Sequence, residues 1–107
     1  MKSDTGRARR FELHLPLRYR TVGAARWREG RIENISRSGV LFWTDEPLEV
    51  DTPLEMSFML PVMDTAPWVV CRGRIVRTVP PQGQEVPSGL AAAFSSYRFV
   101  RGKTAAA

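Results

Sequence analysis

Two short stretches of the chain hold side chains suited to binding an anionic ligand. The first is an arginine cluster, Arg7-Ala8-Arg9-Arg10. A guanidinium group is flat, always charged and offers paired donors, so it matches phosphate oxygens in two places at once. The second stretch is Asn34-Ile35-Ser36-Arg37-Ser38-Gly39. In extended chain Asn34 and Ser36 can point to the same side, and Gly39 admits a positive φ angle and the close approach of a ligand.

The distribution of charge supports an anionic partner. The chain of 107 residues has 16 Lys or Arg and 11 Asp or Glu, a formal net charge of +5. Residues 1–37 hold ten of the basic residues against four acidic ones, and nine of these ten are arginine. Residues 38–107 hold six basic and seven acidic residues. This concentration predicts a phosphate-bearing partner, with a solvated basic surface as the alternative.

Few residues of the chain are candidates for catalysis or for metal binding. The chain has one histidine, His14, and one cysteine, Cys71. A histidine or cysteine zinc site and a disulfide within the chain are therefore not expected. Ser36 has no motif that supplies a general base, and the acidic residues between 45 and 51 lack the spacing of a calcium loop. We expect a binding module without a cofactor, and not an enzyme.

Length and hydropathy indicate one domain that does not enter a membrane. A chain of 107 residues has the size of a single core. It has no apolar run of the roughly 18–20 residues that a membrane helix needs, and residues 1–10 do not resemble a secretory signal. The expected location is cytoplasmic, where Cys71 stays reduced. Cys71 itself is expected to be a small buried apolar group.

Apolar residues that alternate with polar ones predict six β-strands. Pro16 falls within the first strand and indicates an edge or a bulge there, and Gly73 indicates a bulge in the fifth. In the fifth strand, simple alternation places Arg77 near the same face as Ile75. A short helix could begin in the segment from Tyr97 to Val100. The predicted strands cover residues 13–20, 26–34, 40–43, 54–60, 68–79 and 89–94.

Six short strands without a convincing helix predict an all-β domain, a six-stranded antiparallel β-barrel, because closure removes exposed sheet edges. We assign residues 1–12 to a flexible basic N-terminal arm, residues 13–96 to the barrel and residues 97–107 to a short C-terminal tail.

The order of these features resembles the PilZ domain family. PilZ domains are six-stranded barrels that bind the bacterial second messenger cyclic di-GMP, and their signatures are Arg-x-x-x-Arg in the arm and (Asp/Asn)-x-Ser-x-x-Gly in a turn. Asn34, Ser36 and Gly39 match the second signature in full. The stretch from Arg10 to Arg18 looks like the family's second arginine leading into the first strand, and residues 89–94 resemble its last strand. The resemblance spans residues 7–96.

The resemblance implies a cyclic di-GMP site formed by Arg7, Arg9, Arg10, Asn34, Ser36 and Gly39. The dinucleotide often binds this family as a stacked pair, and ordering of the arm would then be read by an effector protein whose identity, like the oligomeric state, the sequence does not give. In this chain Gly6 stands four residues before Arg10, so the first arginine is Arg7, three residues before it, or Arg9 takes its place.

Two other functions stay open. The first is a PilZ-like adaptor that binds proteins without a nucleotide. The second, less favoured, is a small barrel that binds RNA or single-stranded DNA, since the basic residues do not follow a groove with aromatic residues between them.

Overall fold

The computed structural model describes residues 11–12, 14–60, 67–80 and 88–100. This part of the chain is all β, as predicted. It contains no helix long and apolar enough to cross a membrane. The strands are β1 (Phe11–Glu12), β2 (Pro16–Thr21), β3 (Arg28–Ile35), β4 (Gly39–Thr44), β5 (Pro53–Met59), β6 (Trp68–Val79) and β7 (Ser88–Val100).

The strands close into the predicted six-stranded antiparallel barrel. The hydrogen-bonded order is β1-β3-β2-β5-β6-β7-β4, and β4 also pairs with β3, which completes the ring. β1 and β2 both pair with β3, through Glu12 opposite Asn34 and Pro16 opposite Arg31. They are therefore two pieces of one interrupted strand. The irregularity predicted at Pro16 is this interruption, because proline has no N–H to donate to a ladder.

Alternation along the strands builds the core inside the ring. Tyr19 and Phe42 are fully buried, and their ring centroids lie 5.1 Å apart. Cys71 is buried as predicted, with 2% of its surface exposed. The rest of the buried apolar set comes from all six long strands: Leu17, Ile32, Ile35, Val40, Leu54, Met56, Phe58, Val69, Ile75, Leu90 and Ala92.

The last strand is longer than the sequence predicts. β7 continues to Val100, which pairs with Trp68 at the start of β6. The predicted end at residue 94 and the possible helix from Tyr97 to Val100 are therefore wrong, because the twelve residues of β6 offer β7 a pairing partner along their whole length. Four residues assigned to the tail are strand. At the other end, Phe11 and Glu12, assigned to the arm, pair with β3.

Two irregularities in the pairing of β6 with β7 shape the surface. One lies between Arg72 and Gly73, where the sequence predicts a bulge, and the other between Ile75 and Arg77. Ile75 pairs with Ala92 and Arg77 with Ala91, so Val76 is the extra residue. An extra residue reverses the alternation that follows it. Ile75 is buried whereas Arg77 is exposed, which corrects the face predicted for Arg77.

Candidate functional site

A surface pocket of about 730 Å³ lies where β3 turns into β4. Asn34, Ser36 and Gly39, three residues of the predicted site, all line it. The opposite side is formed by β7, which pairs with β4, and by β6, which pairs with β7. The structure therefore brings the turn motif together with two strands that are distant in sequence.

Hydrogen bonds within the turn fix its shape. The N–H of Ser36 donates to the carbonyl oxygen of Gly39 at 2.9 Å. The N–H of Ser38 donates to Ser36 Oγ at 3.2 Å, and the two hydroxyl oxygens lie 3.1 Å apart. A serine that accepts from the N–H two residues later forms a small side-chain turn. Ser36 thus stabilises the turn while it lines the pocket, and Arg37 stands exposed at the tip.

Gly39 is needed for a reason that differs from the predicted one. Its φ angle is not positive, so the predicted role in a left-handed turn is wrong. A Cβ atom at this position would instead collide with the carbonyl oxygen of Ala92 in β7. The N–H of Phe94 also donates to the carbonyl oxygen of Ser38 at 2.9 Å. The close approach of β7 to the turn therefore requires a residue without a side chain.

Small residues form the floor of the pocket. Ala91, Ala92 and Ala93 of β7 line it, opposite Leu41, Val40 and Gly39 of β4. The methyl groups of Ala91 and Ala93 rise little above the backbone, whereas Ala92 is buried, so this part of β7 presents a low apolar surface that a flat ring can approach.

The predicted site contains none of the lining residues of β6 and β7, which include two polar groups and a valine. Arg77 and Val76 come from β6 and Tyr97 from β7. Arg77 adds a second guanidinium to that of Arg37, and Tyr97 adds an aromatic ring that is 47% exposed. Strand periodicity gives no signal for Arg77 or Tyr97, because their positions depend on the pairing of β6 with β7.

Several arginines of the first third of the chain have acidic or aromatic partners elsewhere. Glu55 accepts from Arg20 Nε at 2.8 Å and lies 3.0 Å from Arg72 Nη2. The hydrogen bond from Arg20 lowers the pKa of the Glu55 carboxyl, and Arg72 adds to the effect. The guanidinium of Arg20 also lies 4.3 Å from the ring centroid of Trp27. These contacts stabilise the outside of the barrel and are not part of the pocket.

A second ion-pair group holds the loop after β4. Arg26 and Arg28 lie 3.2 and 3.3 Å from Glu46 Oε1. The hydrogen bond from Arg26 lowers the pKa of the Glu46 carboxyl. The basic excess noted in residues 1–37 is therefore partly neutralised by Glu46 and Glu55, which follow that segment in the chain.

The predicted arginines Arg7, Arg9 and Arg10 lie outside the described residues. The nearest described segment is β1, in which Phe11 is opposite Ile35 and Glu12 is opposite Asn34. β1 runs antiparallel to β3, so Phe11 is the residue of β1 nearest the turn that begins at Ser36. The chain therefore enters the barrel beside the pocket.

The described residues offer binding groups but no cluster of metal ligands. No group of three His, Cys, Asp or Glu side chains in that part of the chain could hold a metal ion. His14 is exposed, and its carbonyl oxygen accepts from Arg31 Nη1 at 3.3 Å. Burial raises the pKa of the Cys71 thiol to about 12. The pocket offers hydrogen-bonding groups and the guanidinium groups of Arg37 and Arg77. These groups suit an anionic, partly flat ligand.

A comparison with protein-family models matches the PilZ domain over residues 5–99. A comparison with curated proteins finds no match.

Proposed function

Since this chain belongs to the PilZ family, whose domains are generally modules that bind cyclic di-GMP, we propose that it is a cyclic di-GMP receptor. The dinucleotide binds between the arginines of the N-terminal arm and the turn at residues 34–39. Binding orders the arm, and an effector protein reads that change.

The observation that carries this proposal is the register of β1 on β3. Phe11 is opposite Ile35 and is the end of β1 closest to Ser36. Arg10 is bonded to Phe11, and consecutive Cα atoms are only about 3.8 Å apart. In the proposed complex the side chain of Arg10 binds a ligand in the pocket. Arg7 and Arg9, three residues and one residue before Arg10, bind the same ligand.

Each wall of the pocket has a role in the proposed complex. Guanidinium groups from the arm bind the two phosphates or the O6 and N7 edge of guanine. Asn34 and Ser36 supply donors and acceptors that fix the orientation of the ligand. Arg37 and Arg77 add positive charge from two further directions. The alanines of β7 leave room for a stacked pair of bases above them.

Calorimetry with cyclic di-GMP at moderate salt tests the proposal. We expect binding in the micromolar range to the wild type. Arg10→Ala and Ser36→Ala should each weaken it by roughly 10-fold or more, since a hydrogen bond to a charged group contributes about 1.5–3 kcal/mol. Arg98→Ala is the matched control, because Arg98 is an exposed arginine of β7 that does not line the pocket. It should bind like the wild type.

The absence of binding in this experiment would also distinguish the candidate functions. At about 100 μM nucleotide, a ligand with a dissociation constant of about 1 μM stabilises the fold by about 2.7 kcal/mol. The absence of both heat and a thermal shift at that concentration would reject the receptor and leave the adaptor function. Strong, salt-dependent affinity for generic single strands would instead favour nucleic-acid binding.

A further inference from the structure

An exposed aromatic cluster lies on the part of β7 that extends past β4. β4 pairs with β7 only as far as Ala93, and beyond it β6 is the paired neighbour of β7 among the described strands. The rings of Phe94 and Tyr97 are 5.9 Å apart and those of Tyr97 and Phe99 are 6.2 Å apart, both edge to face. Tyr97 is 47% and Phe99 60% exposed, whereas Phe94 packs in part against the core, so two of the three rings reach the surface.

Tyr97 is the member of this cluster that reaches the pocket. It lines the same cavity as Asn34 and Ser36, whereas Phe94 and Phe99 are not among the lining residues. Tyr97 is also the one aromatic residue that the described lining contains. The ring of Tyr97 packs edge to face against Phe94 and Phe99. These contacts restrict its rotation, so the ring loses less conformational entropy when a ligand binds it.

We propose that Tyr97 is the base-stacking element of this pocket and receives one guanine of cyclic di-GMP on its ring. The inference rests on the proposed function and adds to it a residue outside both sequence signatures. The polar and cationic groups of the pocket suit phosphates and base edges, but an aromatic face is what a base plane binds best. Ala91 and Ala93 of the same strand line the pocket together with Tyr97 and add little bulk to it.

Three substitutions of Tyr97 distinguish base stacking from the contribution of a bulky apolar side chain. Tyr97→Phe keeps the ring and should bind cyclic di-GMP within about twofold of the wild type. Tyr97→Leu keeps apolar bulk without a π face, and Tyr97→Ala removes both. Each should weaken binding by roughly 5- to 100-fold, the range that corresponds to loss of one base–aromatic stack. Arg98→Ala controls for any change in this part of β7, and thermal melting verifies that every variant is folded.

Proton NMR of the complex between the wild type and cyclic di-GMP tests for direct contact between Tyr97 and the ligand. A residue that only stabilised the fold would not give this contact. The chain has two tyrosines, and Tyr19 is fully buried, so the exposed tyrosine spin system belongs to Tyr97. Stacking predicts an upfield shift of a guanine H8 resonance and a nuclear Overhauser effect between that proton and the Tyr97 ring. The shift should persist in Tyr97→Phe and disappear in Tyr97→Leu.

The outcomes distinguish this inference from the proposed function. If the wild type binds cyclic di-GMP but Tyr97→Leu and Tyr97→Ala bind equally well, or the Overhauser contact is absent, the stacking role is rejected and the receptor function stands. If the wild type does not bind cyclic di-GMP at all, both are rejected.

Discussion

Gly39 in β4 lies so close to the carbonyl oxygen of Ala92 in β7 that the space for a Cβ atom is already filled. This contact belongs to the β4–β7 pairing that helps to close the barrel, and it sets the turn at residues 36–38 against the floor of the pocket. One glycine thus serves the fold and the site together.

Replacement of Gly39 by alanine should therefore affect both. Gly39→Ala should lower the free energy of unfolding by about 1–3 kcal/mol, because the methyl group must push two paired backbones apart. Urea denaturation followed by circular dichroism measures the loss. Ser96→Ala, an exposed change in β7, should alter the stability by less than about 0.5 kcal/mol. A Gly39→Ala domain as stable as the wild type would contradict the close approach.

The buried hydroxyl of Tyr19 ties β2 to the end of β4. It donates to the carbonyl oxygen of Glu46 at 2.7 Å and lies 2.6 Å from Thr44 Oγ1. Tyr19→Phe leaves these groups without their partner and should cost about 1–3 kcal/mol of unfolding free energy. Tyr97→Phe removes an exposed hydroxyl and is the matched control. Equal stability of the two variants would show that the buried hydrogen bonds contribute little.

The ion pairs of Glu55 should make stability depend on pH in the acid range. Arg20 lowers the pKa of this carboxyl in the folded state. Its contribution is therefore complete above the ordinary glutamate pKa of about 4.3 and is lost as the pH falls through the lower folded value. Glu55→Gln should be less stable than the wild type by about 1 kcal/mol at pH 7. The difference should shrink below about pH 4.3.

Unfolding free energies measured between pH 7 and pH 3 test this dependence. Glu49→Gln, in the exposed loop after β4, controls for the loss of one negative charge. A difference between the wild type and Glu55→Gln that stays constant to pH 3 would show that the ion pairs do not act through this carboxyl.

Cys71 should be almost inert in the folded protein. Burial raises the pKa of its thiol to about 12, and only the thiolate reacts with disulfide reagents. Against an ordinary thiol of pKa about 8.5, the thiolate fraction at pH 8 is smaller by roughly a thousandfold. Ellman's reagent should label the native domain slowly and the urea-unfolded chain at once. Rapid labelling of the native state would indicate that β5 and β6 separate easily.

Local patterns predicted the elements of the fold well. The predicted strand over residues 68–79 coincides with β6, because β-prone residues fill the segment and Pro67 and Pro80 flank it. The segment from Tyr97 to Val100 was missed, because its strand structure comes from pairing with the far end of β6. Such pairing is a property of the closed barrel and leaves no local signal.

The candidate site, like the fold, is predicted from local sequence only in part. Asn34, Ser36 and Gly39 are recognised from their spacing, and the structure brings all three to one pocket. Arg77 and Tyr97 reach that pocket only through the register of β6 and β7 and the extra residue at Val76, which strand periodicity does not reveal. The prediction places Gly39 at the site correctly, but it does so for a positive φ angle that this residue does not adopt.

A crystal structure of the wild-type domain with cyclic di-GMP tests the central claim most directly. We predict the dinucleotide in the pocket beside Asn34 and Ser36, with the guanidinium of Arg10 and that of Arg7 or Arg9 on its phosphates or guanine edges. A complex with an empty pocket, or with the arm directed away from the turn at residues 34–39, would contradict the receptor proposal while leaving the barrel unchanged.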